Sequence, residues 1–112
     1  MIRFCGWLLA AYVLAQPLSS TADAAGPVRR ILIEKMAFAP SPSNLHAGDT
    51  VEWVNQDIFL HSATAADGSF DIDVPPGKSA RVVIRKAGTI NYSCKYHPGM
   101  KSMLVVASTP HN

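Results

Sequence analysis

Cysteine is scarce in this chain, which has 112 residues and only two cysteines, Cys5 and Cys94. Cys5 lies in an N-terminal segment with the features of a removable signal, which leaves one thiol in the remainder. A single thiol cannot form an internal disulfide or a CxxC redox pair. It also cannot supply a four-thiolate zinc or iron–sulfur site. Cys94 therefore needs a different explanation.

Hydrophobic runs long enough to cross a membrane are also missing. The apolar run at residues 4–15 is well short of the about 20 residues that a transmembrane helix needs, and Gln16 and Pro17 end it. Residues 22–24, Ala-Asp-Ala, have the small-x-small pattern of a signal peptidase site. We therefore expect residues 1–24 to be a cleavable signal peptide, and residues 25–112 to be a single exported domain without a membrane span.

A strong excess of charge of either sign is absent as well. The chain has ten basic and eight acidic residues, which gives a formal net charge of +2. Cleavage after Ala24 would remove one residue of each sign, Arg3 and Asp23, so the balance would not change. This composition predicts no nucleic-acid surface.

Between residues 25 and 112 there is no helical periodicity and no internal repeat, and prolines and glycines separate short apolar runs. These runs predict strands at residues 28–36, 44–46, 50–55, 70–74, 80–86, 89–94 and 101–107, with residues 57–69 as a connecting region. About seven to eight short strands in a domain of this size predict an all-β fold, namely a Greek-key β-sandwich.

Side-chain alternation along these strands predicts where the Cys94 sulfur points. Val51 and Trp53 fall on one face of their strand, and Glu52 falls on the other. Tyr92 and Cys94 share a face in the same way. The thiol should therefore reach the end of its strand on the core side.

The segment YSCKYHPGM brings a thiol, an imidazole and a thioether together at Cys94, His97 and Met100. Pro98 and Gly99 provide a bend between the imidazole and the thioether. A loop with this spacing can turn three donor atoms toward one centre.

A fourth donor has to come from elsewhere in the chain, and His61 follows the predicted strand at residues 50–55, in the connecting region. Two histidines, one cysteine and a weak axial methionine form the blue-copper ligand set, because thiolate and thioether suit Cu(I) and imidazole suits both oxidation states. Thioether is a poor zinc ligand, so copper is the better match. Met103 is an alternative to Met100 as the axial ligand, although we expect Met103 to pack in the core.

Several segments of the chain resemble the cupredoxins, and within that family they resemble the amicyanins more than the plastocyanins or pseudoazurins. The segments are IEKMAF, HAGDTVEWVNQD, PPGKSARVVIRKAGTINYSC and CKYHPGM, which together span most of residues 25–112. The resemblance implies one type 1 copper, with His61, Cys94 and His97 as strong ligands and Met100 as the axial ligand. The predicted signal peptide indicates a periplasmic protein, which we expect to be a monomer.

One position departs from the family pattern. Many cupredoxins have an asparagine directly after the first ligand histidine, where this chain has Ser62. We therefore expect the hydrogen bond that supports the Cys94 thiolate to be weaker or differently made.

The resemblance implies a mobile one-electron carrier that cycles between Cu(II) and Cu(I), and not an enzyme. Its redox partners would be a dehydrogenase as electron donor and a c-type cytochrome as acceptor. The expected docking edge consists of apolar residues around His97, namely Ile58, Phe59, Leu60, Pro98 and Gly99. Lys95 and Lys101 flank the ligand loop and favour an acidic partner.

Two other functions stay open at this point. A periplasmic copper carrier or chaperone could use the same soft donors, although only three methionines follow the predicted signal peptide. A binding module that keeps the fold without copper is the second, and the complete set of four donors disfavours it.

Overall fold

The computed structural model describes Gly6, residues 10–17 and residues 26–108. The predicted signal peptidase site at residues 22–24 lies outside these residues. The regular elements within the described ranges are all strands, and no helix there has the length and apolarity needed to cross a bilayer.

Nine strands make up the described part of the chain. They are β1 (Val28–Glu34), β2 (Ala37–Phe38), β3 (Leu45–His46), β4 (Thr50–Asn55), β5 (His61–Ala65), β6 (Asp71–Val74), β7 (Ser79–Val83), β8 (Gly88–Ser93) and β9 (Lys101–Ala107). One sheet has the order β2-β1-β4-β7, and the other has the order β3-β9-β8-β5-β6. Buried side chains from both sheets form one core between them. The predicted all-β sandwich is confirmed, with more strands than the sequence suggested.

An aromatic cluster fills the core next to the strand that leads to Cys94. The fully buried ring of Trp53, from β4, lies 5.3 Å from the ring of Phe70 and 5.6 Å from that of Tyr92, measured between centroids. Burying a large apolar side chain stabilises a fold by roughly 1.5–3 kcal/mol. Because Tyr92 is part of this cluster, the end of β8 is held firmly against the core.

The expectation of a connecting region at residues 57–69 is wrong in part, because β5 lies within it. The segment HSATA has small and polar side chains and lacks the alternation of large apolar residues that indicates a strand. It is extended because its backbone pairs with β6 on one side and with β8 on the other. His61 therefore begins a strand and does not lie in a loop.

The predicted strand at residues 28–36 turns back on itself before its end. Glu34 pairs with Ala37, and the two residues between them, Lys35 and Met36, have φ angles of 52° and 59°. Two-residue hairpin turns with positive φ match the twist of the flanking strands. Residues other than glycine and asparagine rarely adopt this conformation. The turn therefore depends on contacts made by its own amides.

Glu52 lies on the outer face of the first sheet between two arginines. It is in register with Arg30 of β1 and with Arg81 of β7, and its carboxylate forms salt bridges with both. Hydrogen bonds from Arg81 and from Arg30 hold the pKa of the Glu52 carboxyl below its ordinary value of 4.5. The carboxylate thus links three strands through their side chains.

We predict that Glu52→Gln destabilises the copper-free protein at neutral pH and that this effect fades on acidification. The unfolded chain protonates Glu52 near pH 4.5, whereas the folded protein resists protonation to lower pH. The ion pairs therefore stabilise the fold above that pH, and their contribution is lost as the pH falls through the depressed folded pKa. Urea midpoints of both proteins at several pH values measure the difference, with Glu34→Gln as an exposed control. A difference that does not vary with pH would contradict the assignment.

Candidate metal centre

Three predicted ligands meet at one end of the sandwich. His61 begins β5, Cys94 follows the last residue of β8, and His97 lies in the loop between β8 and β9. Their candidate ligand atoms all lie within 4.8 Å of one another. The side chains of His61 and Cys94 are fully buried, and that of His97 is half-buried. The end of the second sheet thus provides a compact group of donors.

The two imidazoles present equivalent nitrogens to the thiol. Nδ1 of His61 and Nδ1 of His97 each lie 3.7 Å from Cys94 Sγ. The two rings are 4.9 Å apart between centroids and meet edge to face. One sulfur and two nitrogens therefore face a common point, as a trigonal metal site requires.

The ligand loop closes on itself and brings Met100 back to Cys94. The Met100 amide donates a hydrogen bond to the His97 carbonyl at 2.9 Å, and the Cys94 amide donates to the Met100 carbonyl at 3.0 Å. Met100 is 5% exposed. Of the two candidate methionines, Met100 lies in the loop that supplies the thiol and the second imidazole.

Met103 does not pack in the core as the sequence suggested. It is 50% exposed and lies in β9 on the outward-facing side, which it shares with Lys101 and Val105. Alternation explains the difference, because Leu104 takes the inward position. The exposed thioether of Met103 leaves Met100 as the candidate axial donor.

A carboxylate fixes the orientation of the His61 ring. Asp57 Oδ2 lies 2.8 Å from His61 Nε2. Because a carboxylate only accepts hydrogen bonds, Nε2 bears the proton and Nδ1 presents its lone pair to the centre. Outer partners of this kind orient a metal-binding histidine and fix its tautomer.

The Asp57 carboxylate is itself held by the turn between β1 and β2. The Lys35 amide donates to Oδ1 at 2.8 Å, and the Met36 amide donates to Oδ2 at 3.0 Å. Burial raises the pKa of Asp57, but the Met36 amide and the His61 imidazole outweigh burial and hold that pKa below its ordinary value. These contacts supply the amide partners on which the turn depends.

Asn55 anchors the segment between β4 and β5. Its Nδ2 donates to the carbonyls of Phe59 at 2.8 Å and Val74 at 2.9 Å, and its Oδ1 accepts from the Asp57 amide at 2.8 Å. The backbone before His61 is thus fixed at several points. Sequence reasoning found no sign of these roles for Asn55 and Asp57, because the local contacts depend on the fold of this segment and the others reach Val74 and the turn between β1 and β2.

Ser62 contacts the thiol despite its departure from the family pattern. Its amide donates to Cys94 Sγ at 3.4 Å, and its side chain is fully buried. The contact is thus made by the backbone, and the expectation that it is weaker or differently made than in other cupredoxins stays a prediction.

An apolar side chain lies beside His97, and one of the two lysines expected to favour an acidic partner is already paired. The wider apolar docking edge stays a prediction. Phe59 is 50% exposed, and its ring lies 6.0 Å from the His97 ring. Ile58, the preceding residue, is 84% exposed. Lys95 is not a free cation, because Nζ lies 3.2 Å from Asp71 and 3.1 Å from Asp73. Its charge is therefore neutralised within the molecule.

The chemistry of the donors decides which metal fits. One thiol and two imidazole nitrogens, with the thioether of Met100 in the same loop, combine soft and borderline donors. That combination suits copper in both oxidation states, whereas zinc favours additional thiolates or oxygen donors. The residues present therefore fit a type 1 copper ion.

A sequence profile described as the cupredoxin-like domain matches residues 5–106. The chain belongs to the cupredoxin-like family. This cupredoxin-like chain is similar to the amicyanins of Paracoccus versutus and Paracoccus denitrificans, with 29% identity to each over 80 residues. The alignments cover 66% of this chain and 61% of each relative, so the chain matches less than two thirds of their length.

Solved structures agree with the family assignment. A methionine-to-alanine variant of amicyanin in its Cu(I) form aligns with a TM-score of 0.59 and 27% identity. The alignment covers 76% of this chain and 87% of that structure. The resemblance to cupredoxins, and to amicyanins among them, is confirmed.

We predict that Asp57→Asn loosens His61 and lowers stability. Three N–H groups point at the Asp57 carboxylate, and an amide offers them one oxygen and a donor in place of two acceptors. The free energy of unfolding should fall by about 1–3 kcal/mol, and the His61 ring should lose its preference for the Nε2–H tautomer. Urea unfolding and nitrogen-15 NMR of the metal-free protein measure both effects. Asp67→Asn, on the exposed turn after β5, is the control, and an unchanged tautomer would contradict the prediction.

Proposed function

We propose that this chain is a type 1 copper protein that acts as a mobile one-electron carrier. His61, Cys94 and His97 would be the strong ligands, and Met100 would be the axial ligand. The observation that supports this most directly is the convergence of one thiol and two imidazole nitrogens within 4.8 Å in a largely buried site. The similarity to an amicyanin solved in its Cu(I) form supports the same metal.

Copper, when bound, supplies a one-electron couple between Cu(II) and Cu(I). The chain's contribution is to hold the donors in place. Asp57 orients His61, the Ser62 amide contacts Cys94, and two backbone hydrogen bonds close the loop that contains Met100. Donors that are fixed in advance move little when the oxidation state changes, and this favours rapid electron transfer.

We propose that electrons enter and leave through His97, the half-buried ligand. The other imidazole, on His61, is fully buried behind the loop. Exposed apolar side chains beside His97, with Phe59 in ring contact, favour brief docking of a protein partner. The partners we propose are a dehydrogenase as donor and a c-type cytochrome as acceptor, meeting the same face in turn.

We also propose that the chain is exported to the periplasm after cleavage behind Ala24 and works there as a monomeric single domain of residues 25–112. Burial of Cys94 favours an electron carrier over a cysteine enzyme and over a copper chaperone. A cysteine enzyme needs a thiolate that the substrate can reach. A copper chaperone needs donors that the receiving protein can reach, and both Cys94 and His61 are enclosed.

Cys94→Ser tests the proposed function. The wild-type protein loaded with Cu(II) should have an intense visible charge-transfer band and a narrow hyperfine splitting, because both arise from a copper–thiolate bond. Both features should disappear in the variant and persist in Ser93→Ala, a control one residue away. A reversible one-electron couple supports the carrier, whereas rapid loss of copper to a chelator would support the chaperone. Spectra unaffected by Cys94→Ser would overturn the proposal.

Met100→Leu and Met103→Leu distinguish the two candidate axial ligands. A thioether is a soft donor, but it still gives electron density to the metal, and the loss of one donor destabilises the more positive Cu(II) more than Cu(I). Met100→Leu should therefore raise the reduction potential. Met103→Leu should leave it unchanged, because Met103 faces solvent on β9. Voltammetry of both variants measures the shift. A shift in Met103→Leu alone would show that the axial assignment is wrong.

A further inference from the structure

The regular pairing of β5 with β8 stops just before the metal centre. Of the two residues of β5 that pair with β8, Thr64 is the nearer to the metal centre, and it lies opposite Ser93. Continuing the antiparallel register would place Ser62 opposite Lys95. At this point the Lys95 amide donates to the Ser62 hydroxyl oxygen at 2.9 Å, where a regular ladder would offer it a backbone carbonyl of β5. A side chain thus continues the ladder where the strands separate.

Ser62 therefore holds the ligand loop at two neighbouring points. Its amide donates to Cys94 Sγ at 3.4 Å, and its hydroxyl oxygen accepts from the next amide along the loop, that of Lys95. A serine hydroxyl can rotate about its Cα–Cβ bond unless a further contact fixes it. The orientation of the Ser62 hydroxyl therefore affects how the ligand loop is held beside the Cys94 thiol.

The further contact is with Thr64, two residues along the same face of β5. The two hydroxyl oxygens are 2.9 Å apart, and Thr64 Oγ1 also lies 2.9 Å from Asp71 Oδ1. The Thr64 hydroxyl and Lys95 hold the pKa of the Asp71 carboxyl below its ordinary value. An ionised carboxylate only accepts, so the single Thr64 proton goes to Asp71.

This assignment determines which hydroxyl donates and which accepts in each of these contacts. Because the Thr64 proton is donated to Asp71, the Ser62 proton is donated to Thr64 Oγ1, which leaves the Ser62 lone pairs free for the Lys95 amide. The Lys95 ammonium returns to Asp71 at 3.2 Å and closes the ring. Both arms of the ring start at Lys95 and end at Asp71: the amide donates through Ser62 and Thr64, and the ammonium donates directly. Along the longer arm each hydroxyl both accepts and donates, an arrangement in which each bond strengthens the next.

We propose that Thr64 and Asp71 are positioning residues for the metal centre, acting through Ser62. Their hydrogen bonds fix the Ser62 side chain, which keeps the Ser62 amide on Cys94 Sγ and the Lys95 amide beside it. A hydrogen bond to a thiolate withdraws electron density from the sulfur and favours the reduced metal. The effect on the reduction potential rests on the proposed function, because it requires bound copper. The ring of hydrogen bonds does not require copper, because protein groups alone form it.

Asp73 provides a matched control for charge and for simple anchoring of the loop. Like Asp71, it is a partly exposed carboxylate on β6 that contacts the Lys95 ammonium. It also accepts a hydrogen bond from the Tyr96 hydroxyl at 2.8 Å. The backbone of Asp73 lies opposite that of Ser62 in the sheet, but the contacts of its carboxylate are with Lys95 and Tyr96 and not with the hydroxyls of Ser62 and Thr64. The Asp73 side chain therefore lies outside the ring while making comparable contacts with the loop, and Asp73→Ala leaves the strand pairing in place.

The first experiment compares Thr64→Val, Thr64→Ser, Asp71→Ala and Asp73→Ala in the copper-loaded protein. Thr64→Val and Asp71→Ala should lower the reduction potential and broaden the hyperfine splitting, and their combination should add little to the larger single effect. Thr64→Ser keeps the hydroxyl and should retain wild-type values. Asp73→Ala should shift the potential clearly less than Asp71→Ala. Equal shifts in the two alanine variants, or no shift in Thr64→Val, would overturn the proposal.

The second experiment measures exchange of the Lys95 amide hydrogen in the metal-free protein by NMR. Weakening its bond to Ser62 should speed exchange about five- to tenfold in Thr64→Val and in Asp71→Ala, but not in Thr64→Ser or Asp73→Ala. This result does not depend on copper. A wild-type protein without a blue spectrum would overturn the proposed function, while unchanged Lys95 exchange in Thr64→Val would overturn the ring.

Discussion

The pairing of β5 with β8 is the constraint on which the metal centre depends. It brings His61 and Cys94, 33 residues apart in sequence, to the same end of one sheet with both side chains fully buried. His97 then needs only a short loop to complete the donor group, since the hydrogen bonds between Cys94, His97 and Met100 already curl the chain. The core behind β8 holds this end in place through Tyr92.

Contacts from the first sheet make the arrangement rigid on its other side. The turn between β1 and β2 holds Asp57, and Asp57 holds His61. Asn55 at the end of β4 reaches the carbonyl of Val74 at the end of β6, which joins the two sheets beside the site. The positions of the donors are therefore a property of the whole sandwich and not of the ligand loop alone.

The sequence was sufficient for the fold class and for the grouping of the ligand loop, because alternation and turn residues are local signals. Alternation correctly placed Cys94 on the core side of its strand. It did not find β5, whose residues are small and polar and whose strand geometry comes from its neighbours. Without that strand, the contact of Ser62 with Thr64 could not be derived, since it needs both side chains on one face of β5. The contact of Thr64 with Asp71 could not be derived either, since it depends on the register between β5 and β6.

The anchoring of the segment before His61 also bears on how such a protein can change over evolutionary time. The backbone of residues 55–61 is tied down by Asn55 and Asp57, whereas the side chain of Ile58 projects into solvent. Substitutions at position 58 can change the exposed surface of this segment without moving His61 at its end. The shape of this exposed surface and the chemistry of the centre are thus separately inherited traits that a lineage can alter one at a time.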